Sequence, residues 1–296
     1  MEIIQDSRLC PMLKWSGGKS GVYKLINKKL PQALINGEIN NYYEPFFGGG
    51  AMFLKLIQNV KINRYILSDI NEDLILFYKV VKNNPKELIS LTERDIDSYI
   101  KMADIKNRKI FYNKIRTLYN IEHSSVDYDN YSNCYISRAA QLLFLNKTCW
   151  GGRYRQSLKG NFNVPCSGED PAKLQKDNIF RISTIFNRGN VDLRQADYKE
   201  VCKEISGNDS FVYFDPPYEG TTSDYYKKRF THKDHIELSQ IYRELNDKAA
   251  FLMMNNSCQT KEYYDGFKIK HLTSMNTVST NPLKRKEVEV LLITNY

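Results

Sequence analysis

The 296-residue sequence lacks the features that mark membrane and exported proteins. No uninterrupted apolar run approaches the roughly 20 residues that a membrane-spanning helix needs. The first ten residues, MEIIQDSRLC, also lack the charged and then apolar pattern of a signal peptide. We therefore expect a soluble protein of the cytoplasm, free or associated with the nucleoid. Its length suffices for one large α/β domain or for a core domain with an insertion.

The sequence also lacks the usual cysteine patterns. Its six cysteines form no C-x-x-C pair and have no histidine at the spacing of a zinc site; they are Cys10, Cys134, Cys149, Cys166, Cys202 and Cys258. Such pairs and spacings are the sequence marks of redox and zinc sites. We therefore expect reduced, mainly structural thiols and no metal site.

One stretch lacks acidic residues altogether. Residues 135–168 contain no Asp or Glu, although the whole chain has 34 of them against 43 Lys and Arg, for a net charge of +9. Cations and aromatic residues are interleaved there: Arg138, Lys147, Trp150, Arg153, Tyr154, Arg155, Lys159 and Phe162. Cations suit phosphates and guanine edges, and flat side chains suit bases, so the stretch favours a nucleic-acid surface. A solvated hairpin with packed aromatic residues is the alternative.

The first glycine-rich motif is LKWSGGKS at residues 13–20, and it ends like a phosphate-binding P-loop. A P-loop needs another glycine five positions before its final glycine, where this chain has Leu13. The motif therefore does not predict a P-loop.

A second glycine run, in NYYEPFFGGGAMFLKLI, predicts a strand over 42–47, a glycine turn over 48–50 and a helix over 51–57. Glycines at this place let the backbone approach a nucleotide-type cofactor closely. The next predicted strand, RYILSD, ends at Asp69, which lies 21 residues after Gly48, near the offset at which an acid binds a ribose. We expect a ribose-bearing cofactor; the alternative is that Asp69 only shapes a turn.

The segment over 85–186 differs from the sequence on either side. It contains helical stretches such as NRKIFYNKIRTLY and ISRAAQLLFL, together with the basic stretch, but no convincing pair of buried strands. Strand patterns resume with NVDLRQADY, SFVYFDPPY, AAFLMMNN and EVEVLLITNY, which are separated as an α/β sheet requires. We predict a discontinuous α/β core domain over 10–84 and 187–296, and an inserted, mostly helical domain over 85–186 with a basic hairpin near 146–165.

The stretch VYFDPPY places Asp215 directly after an apolar strand, where ligands of open α/β folds bind. Pro217 forces Pro216 toward extended conformations, and neither proline has an N–H group. The corner therefore offers only acceptors, namely the Asp215 carboxylate and a backbone carbonyl, and acceptors without donors suit an amino group.

An aryl amine such as the exocyclic nitrogen of adenine is a poor nucleophile, because its lone pair is delocalised into the ring. Two acceptors hold its hydrogens and turn the lone pair toward an electrophile, while Tyr218 stacks on the flat ring. S-adenosylmethionine would supply the methyl group from a positively charged sulfonium. Catalysis of this kind consists mainly of positioning and electrostatics.

Three motifs carry a family resemblance: D-P-P-Y at 215–218, the glycine segment at 44–53 and K-W-S-G-G-K at 14–19. Together they resemble the Dam/DpnM-type DNA adenine N6-methyltransferases over nearly the whole chain, in the order called the alpha arrangement. The resemblance implies a class I, Rossmann-like S-adenosylmethionine-dependent methyltransferase core with an inserted DNA-recognition domain. It also implies N6 methylation of an adenine that is flipped out of a short double-stranded DNA site.

The resemblance implies a role for individual residues. The catalytic set is Asp215, Pro216, Pro217 and Tyr218. The cofactor set is Trp15, Lys19, Glu44, Phe46, Gly48, Asp69, Asp197 and Asp215, with Asp69 on the ribose and Asp197 on the adenine of the cofactor. The DNA-binding set is Lys14, Asn146, Lys147, Trp150, Arg153, Arg155, Lys159 and Pro165. Within it, Trp150 fills the gap beside the flipped base, Arg155 reads the site and Pro165 packs on a base edge.

GATC is the leading candidate for the recognised sequence. The chain departs from the family pattern after Trp150, where Gly151-Gly152-Arg153 replaces the more usual Asn-Gly-Leu. The alternatives are the same chemistry on RNA and a catalytically idle DNA-binding module. A cognate restriction endonuclease would be a genetic partner only, and no membrane or metal partner is expected.

Overall fold

A seven-stranded sheet forms the centre of the molecule in the computed structural model, which describes residues 9–15, 26–188, 190–219, 226–227, 229–275 and 287–296. The strands are β1 Asn41–Glu44, β2 Arg64–Asp69, β3 Val191–Gln195, β4 Ser210–Phe214, β5 Phe251–Ser257, β6 Lys268–Met275 and β7 Glu287–Thr294. Their order across the sheet is β3-β2-β1-β4-β5-β7-β6. Strands β1 to β5 pair in parallel, and β7 runs antiparallel to both β5 and β6.

Nine α-helices surround this sheet within the described residues. They are α1 Gln32–Ile35, α2 Ala51–Leu56, α3 Glu72–Asn83, α4 Pro85–Ile100, α5 Ile105–Glu122, α6 Ile136–Thr148, α7 Lys176–Asn187, α8 Tyr198–Lys203 and α9 His232–Asp247. No helix in the described ranges is both long and apolar enough to cross a membrane.

Alternate side chains of the strands pack in two hydrophobic cores, one on each face of the sheet. On β4, Phe211 and Tyr213 enter one core, whereas Val212 and Phe214 enter the other. The first core contains side chains of α2, α3 and α7, and the second contains those of α8 and α9. This covering of both faces explains why all five residues of β4 are buried and read as a continuous apolar run. The predicted α/β fold is confirmed.

The predicted strands and helices form, with small differences at their ends. The strand predicted over 42–47 ends at Glu44, and Asn71 caps α3 by accepting a hydrogen bond from Leu74 N at 3.1 Å. Strand β6 was not predicted, because its sequence KIKHLTSM is mostly polar and belongs to an edge strand. The prediction of the GGKS motif and of Lys19 falls outside the described residues.

The insertion shares its hydrophobic core with the sheet. Helices α4, α5 and α6 contribute Tyr99, Tyr112 and Phe144 to the same core that contains Tyr42 and Phe53. Only Asn84 separates α3 from α4, and at the other end Ser183 of α7 donates a hydrogen bond to Lys82 O. The division at 85–186 therefore stays a prediction about function rather than a visible break in packing.

A buried ion pair also joins the two predicted domains. Asp73 of α3 and Arg138 of α6 are each 2% exposed, and the carboxylate accepts from Nε and Nη2 of the arginine at 2.6 and 2.8 Å. The hydroxyls of Tyr119 and Tyr128 donate to the same carboxylate at 2.8 and 2.7 Å. The assignment of Arg138 to a basic surface is therefore wrong, because its charge is used inside the molecule.

Candidate active site and nucleic-acid interface

The parallel strands bring three acidic side chains to one edge of the sheet. Glu44 is the last residue of β1, Asp69 is the last of β2, and Asp215 follows β4 directly. Since β1 lies between β2 and β4, these carboxylates come from three adjacent strands. Such an edge is where ligands of open α/β sheets bind.

The glycine turn after β1 is held by Asp69. Gly48 N donates to Asp69 Oδ2 at 2.9 Å, and the hydroxyl of Tyr78 donates to Gly48 O at 2.9 Å. Gly50 adopts a φ of 68°, and a Cβ built there would lie 2.7 Å from Cζ of Phe47. The turn therefore needs glycine for both backbone conformation and space.

Burial shifts the protonation of the two strand-terminal acids. Burial raises the pKa of Asp69 to about 6, although hydrogen bonds from Asn71 N and Gly48 N oppose the shift. Burial also holds the pKa of Glu44 well above its usual range, and the nearby charges of Asp215 and Asp69 raise it further. The hydroxyl of Tyr42 and the N–H of Phe53 donate to Glu44 Oε2 at 2.7 and 3.2 Å.

The D-P-P-Y corner begins where the fully buried strand β4 ends. Pro216 is buried, Asp215 and Pro217 are half-buried, and Tyr218 packs against the first core. The electrostatic effect of Asp215 on Glu44 places the two carboxylates in one site. The corner thus presents an acidic acceptor beside the glycine turn.

Aromatic rings border the same edge. Trp15 stacks on the buried Tyr154 of the hairpin, with ring centroids 4.6 Å apart, and a Cβ built on Gly48 would lie 3.0 Å from Cδ1 of Trp15. Phe46 stacks on Tyr198 with a centroid separation of 5.1 Å.

The residue before Tyr198, Asp197, caps α8 by accepting from Lys199 N at 3.1 Å. Trp15, Phe46, Gly48 and Asp69 thus surround the glycine turn, and Asp197 lies beyond Phe46 at the start of α8.

The predicted basic hairpin forms after α6. The backbones of Cys149 and Cys166 form one isolated antiparallel β-bridge, and those of Gln156 and Phe162 form another. The two cysteines are free thiols. A short 3-10 turn over Trp150–Gly152 follows α6, and Trp150 N donates to Pro165 O at 2.8 Å. The side chain of Trp150 projects from this turn with 51% of its surface exposed.

Lys14, the first residue of the K-W-S-G-G-K motif, is joined to the hairpin by hydrogen bonds with Asn146. Asn146 Oδ1 accepts from Lys14 N at 2.8 Å, and Asn146 Nδ2 donates to Lys14 O and to Gly152 O at 2.9 and 3.1 Å. The side chain of Asn146 is buried, whereas Lys14 is exposed and its Nζ donates to Gly151 O at 3.2 Å. Asn146 is therefore placed to orient Lys14 and the Trp150 turn.

The remaining hairpin residues differ in exposure. Arg155, Lys159 and Pro165 are exposed, and Arg155 donates to Asn163 Oδ1 at 2.7 Å across the hairpin. Arg153 is half-buried. Lys147 is also half-buried on α6, and burial lowers its pKa.

One group of possible metal ligands lies elsewhere. Among the described residues, Cys258, His271 and Glu289 have ligand atoms within 4.8 Å of one another. His271 Nδ1 already pairs with Glu289 Oε1 at 2.7 Å. The members are far apart in sequence, so their spacing could not have revealed the group. The expectation of no metal stays a prediction.

Sequence reasoning missed two residues of the site. Tyr154 was grouped with the aromatic residues of the basic stretch, but nothing in the sequence indicated that it would support Trp15. Glu72 looked like an ordinary acid in the first turn of a helix, yet its carboxylate accepts from Lys227 Nζ at 2.8 Å and lies 3.3 Å from His123 Nε2. Long-range pairs of this kind leave no local pattern.

The comparisons with known proteins agree with this geometry. The family model for the D12 class N6 adenine-specific DNA methyltransferases matches residues 15–278. The type II methyltransferase M.MjaIII of Methanocaldococcus jannaschii is 38% identical, covering 97% of this chain and 99% of its own. The type II methyltransferase M1.LlaDCHI of Lactococcus lactis subsp. cremoris is 28% identical, covering 100% and 99%. The DNA adenine methylase of Haemophilus influenzae is 28% identical, covering 95% and 92%.

The sheet order, with its antiparallel β7 between β5 and β6, fits the class I methyltransferase fold of that family. The match spans the glycine turn, the hairpin and the D-P-P-Y corner. The chain therefore belongs to the family of D12 class N6 adenine-specific DNA methyltransferases, which are enzymes that methylate adenine in DNA.

Proposed function

We propose that the methyl donor is S-adenosylmethionine and that the acceptor is an adenine flipped out of a short duplex site, with GATC as the leading candidate. The observation that carries this proposal is the meeting of Glu44, Asp69 and Asp215 beside the glycine turn. An acid-lined edge favours a cationic sulfonium and accepts hydrogen bonds from ribose hydroxyls. The residues therefore fit this cofactor.

Seven residues of this chain would hold or border the cofactor. Asp69 would accept from the ribose hydroxyls, Gly48 would let the backbone come close, and Asp197 would meet the adenine of the cofactor. Trp15 and Phe46 would border it, each supported by a stacked tyrosine. Lys19 keeps the role that the family resemblance implies, and Glu44 would border the cofactor at the end of β1.

When bound, S-adenosylmethionine supplies an electrophilic methyl group. The Asp215 carboxylate and a carbonyl of the proline corner would accept the two hydrogens of the adenine amine, so that its lone pair points out of the ring plane. Tyr218 would stack on the base, and the prolines would keep the corner rigid. Because the chain supplies orientation and negative charge, the amine would keep both hydrogens until the new N–C bond forms, and one of them would then leave as a proton along the hydrogen bond to the Asp215 carboxylate.

The hairpin would contact the DNA. Trp150 would fill the gap left by the flipped adenine, Arg155 and Pro165 would meet base edges, and Lys14, Lys147, Arg153 and Lys159 would meet bases or phosphates. Asn146 would act by orienting Lys14. The division of labour between the hairpin and the core corresponds to the domains predicted at 85–186 and at 10–84 with 187–296.

The family assignment favours DNA over the RNA alternative and an active enzyme over an idle binding module. The names of two relatives, both type II methyltransferases, support a link to a restriction endonuclease as a genetic partner. We also propose a cytoplasmic location, because the substrate is DNA. We assign no metal to the reaction, since a sulfonium donor needs no Lewis acid, and a chelator added to the assay below tests this.

Transfer of tritiated methyl groups to duplex DNA tests the assignment of Asp215. Asp215→Ala should lower the turnover rate by about two to three orders of magnitude, as the loss of a positioned electrostatic group does, while DNA binding survives. Asp177→Ala, a change at an exposed acid of α7, is the matched control. A rate near that of the parent would show that the carboxylate has another role. Sequencing of DNA from expressing cells, with detection of N6-methyladenine, identifies the recognised site.

A further inference from the structure

Glu72 connects three parts of the molecule at the start of α3. Its side chain is 7% exposed, and Oε1 lies 2.8 Å from Lys227 Nζ and 3.3 Å from His123 Nε2. Burial disfavours the carboxylate, but the adjacent His123, Lys227 and Tyr226 side chains lower the pKa of Glu72 to about 2. Glu72 is therefore an ionised group whose partners come from outside its own helix.

These partners lie under the tip of the basic hairpin near 146–165, which we name the recognition hairpin after its proposed role. Gly160, at the hairpin tip, has a φ of 80°, and a Cβ built on it would lie 3.7 Å from Cδ of Lys227 and 3.8 Å from Nε2 of His123. His123 follows α5, and Lys227 follows the D-P-P-Y corner in the chain. The hairpin tip thus rests on two side chains that Glu72 holds.

A cleft of ≈ 280 Å³ lies between the hairpin and the segment that carries Lys227. Its hairpin wall includes Arg155 and Asn163, and its opposite wall consists of Tyr226 and Arg229. Tyr226 is the chain neighbour of Lys227 and also a partner of Glu72. The contact at Glu72 therefore determines where the opposite wall stands relative to Arg155.

Glu72 is also close in sequence to the cofactor residue Asp69. Asp69 holds the glycine turn, Asn71 caps α3, and Glu72 takes the next position. The segment over 69–72 thus contacts the glycine turn through Asp69 and, through Glu72, the two side chains that lie against the hairpin tip.

We propose that Glu72 and Lys227 are positioning residues that hold the tip of the recognition hairpin in register with Tyr226 and Arg229, which come after the D-P-P-Y corner in the chain. DNA that engages Arg155 in the cleft would then set the position of the flipped adenine at Asp215. This inference rests on the proposed function, because it takes the hairpin as the DNA reader. A merely structural ion pair is the competing explanation, since a carboxylate that is 7% exposed is costly to leave without its lysine.

Three variants separate these explanations. Lys227→Met removes the charge but keeps most of the aliphatic stem, Lys227→Arg restores the charge, and Glu72→Gln removes the charge from the other side. Lys176→Met is the matched control, because it breaks an ion pair with Glu93 at 2.6 Å whose lysine is similarly exposed. The measurements are thermal unfolding, duplex affinity and the single-turnover rate of methyl transfer to the preferred site and to sites with one base pair changed.

We expect Lys227→Met to unfold at a lower temperature than Lys176→Met, because it leaves a buried carboxylate without its lysine, whereas Glu72→Gln leaves no such charge. At temperatures where they stay folded, both variants should bind duplex almost as the parent does. Their transfer rate on the preferred site should fall about ten- to hundredfold, as small misplacements of reacting groups do, and the preference over changed sites should narrow. Lys227→Arg should recover most of the rate. Lys176→Met should leave rate and preference unchanged.

Two outcomes would overturn the inference. Parental rate and preference in Lys227→Met would show that the pair does not position anything. A loss that follows the unfolding temperature and is not recovered by Lys227→Arg would show a structural pair only. Arg155→Ala, assayed in parallel, separates this failure from failure of the proposed function: if Arg155→Ala relaxes specificity while Lys227→Met is silent, the hairpin remains the reader and only the coupling is wrong.

Discussion

Asp69 is the residue whose protonation we expect to have the largest effect on binding of the proposed cofactor. Burial, with the charge of Glu72 nearby, raises its pKa from 3.8 to about 6. Asp69 therefore ionises at a higher pH in the folded protein than in the unfolded chain. The stability that its protonated form contributes is fully present below pH 3.8 and is lost as the pH rises through about 6. In the proposed site, ribose hydroxyls would donate to the ionised carboxylate, so binding of S-adenosylmethionine would favour the form present above that pH.

We expect the affinity for S-adenosylmethionine to rise with pH up to about 6 and then to level off, as measured by calorimetry between pH 5 and pH 8. Asp69→Asn should weaken binding and remove most of this pH dependence, because the amide does not titrate. Glu44 also lies in the site with a raised pKa. Any pH dependence of the affinity that remains in Asp69→Asn therefore measures the contribution of Glu44. Unchanged affinity in Asp69→Asn would return Asp69 to a turn-forming role. Asp192→Asn, on the edge strand β3, is the control.

The sequence allowed some of these residues to be identified and not others. Asp69 and Asp215 could be recognised because each follows an apolar strand, and parallel strands bring their carboxyl ends together. Glu72 and Asp73 follow Asn71 as two acids in a first helical turn, which is common in any helix. Their partners His123, Lys227 and Arg138 are distant in sequence, so only the folded chain distinguishes the two acids from ordinary ones.

At the scale of elements, the recognition hairpin carries both the successes and the limits of prediction. After α6, the β-bridges Cys149–Cys166 and Gln156–Phe162 pair the two arms of this segment, and Trp150 is exposed, while its role in recognition stays a prediction. Composition could not separate the exposed Arg155 from the buried Arg138, because both are arginines among aromatic residues. Strand β6 escaped because an edge strand with polar residues has no continuous apolar pattern.

Two cationic side chains of the hairpin, Arg155 and Lys159, should affect DNA binding in different ways. Arg155→Ala should cost about 1–3 kcal/mol at one base pair and relax the preference there, because a base contact is lost. Lys159→Ala should weaken all duplexes alike and reduce the salt dependence of binding by about one unit, because a phosphate contact is lost. Binding titrations against duplexes with single changes, at several salt concentrations, distinguish the two. Equal discrimination by Arg155→Ala and the parent would show that Arg155 does not read a base.

Trp150 should act on a third quantity, the extent of base flipping. Its exposed indole is available to fill a vacated stack, which offsets part of the few kcal/mol that extrusion of a base costs. Trp150→Ala should therefore lower the fluorescence of an analogue that brightens when unstacked, placed at the target adenine. Leu158→Ala, which removes another exposed apolar side chain of the hairpin, is the control. Equal fluorescence in the two variants and the parent would argue against this role.

At the scale of the whole molecule, the insertion and the sheet form one packed unit rather than two separable ones. Phe53 of the predicted core domain stacks on Phe186 of the predicted insertion, and Tyr112 and Phe144 of the insertion pack in the same hydrophobic core. A hairpin anchored in this way keeps a fixed relation to the D-P-P-Y corner. Recognition by one part can then be used by the other without a mobile linker.

The Asp73–Arg138 pair is the strongest test of this unity. Arg138→Met removes one partner of a buried ion pair and leaves a carboxylate that only Tyr119 and Tyr128 satisfy, so the free energy of unfolding should fall by about 3–5 kcal/mol. Arg94→Met, which breaks an exposed pair with Asp95 on α4, should cost far less. Because the core is shared, far-ultraviolet circular dichroism and tryptophan fluorescence should report coincident transitions in the parent and in both variants. Trp15 lies near the glycine turn and Trp150 on the hairpin, so fluorescence reports on both places. If the fluorescence transition of Arg138→Met came at a lower temperature than its circular dichroism transition, part of the chain would unfold on its own.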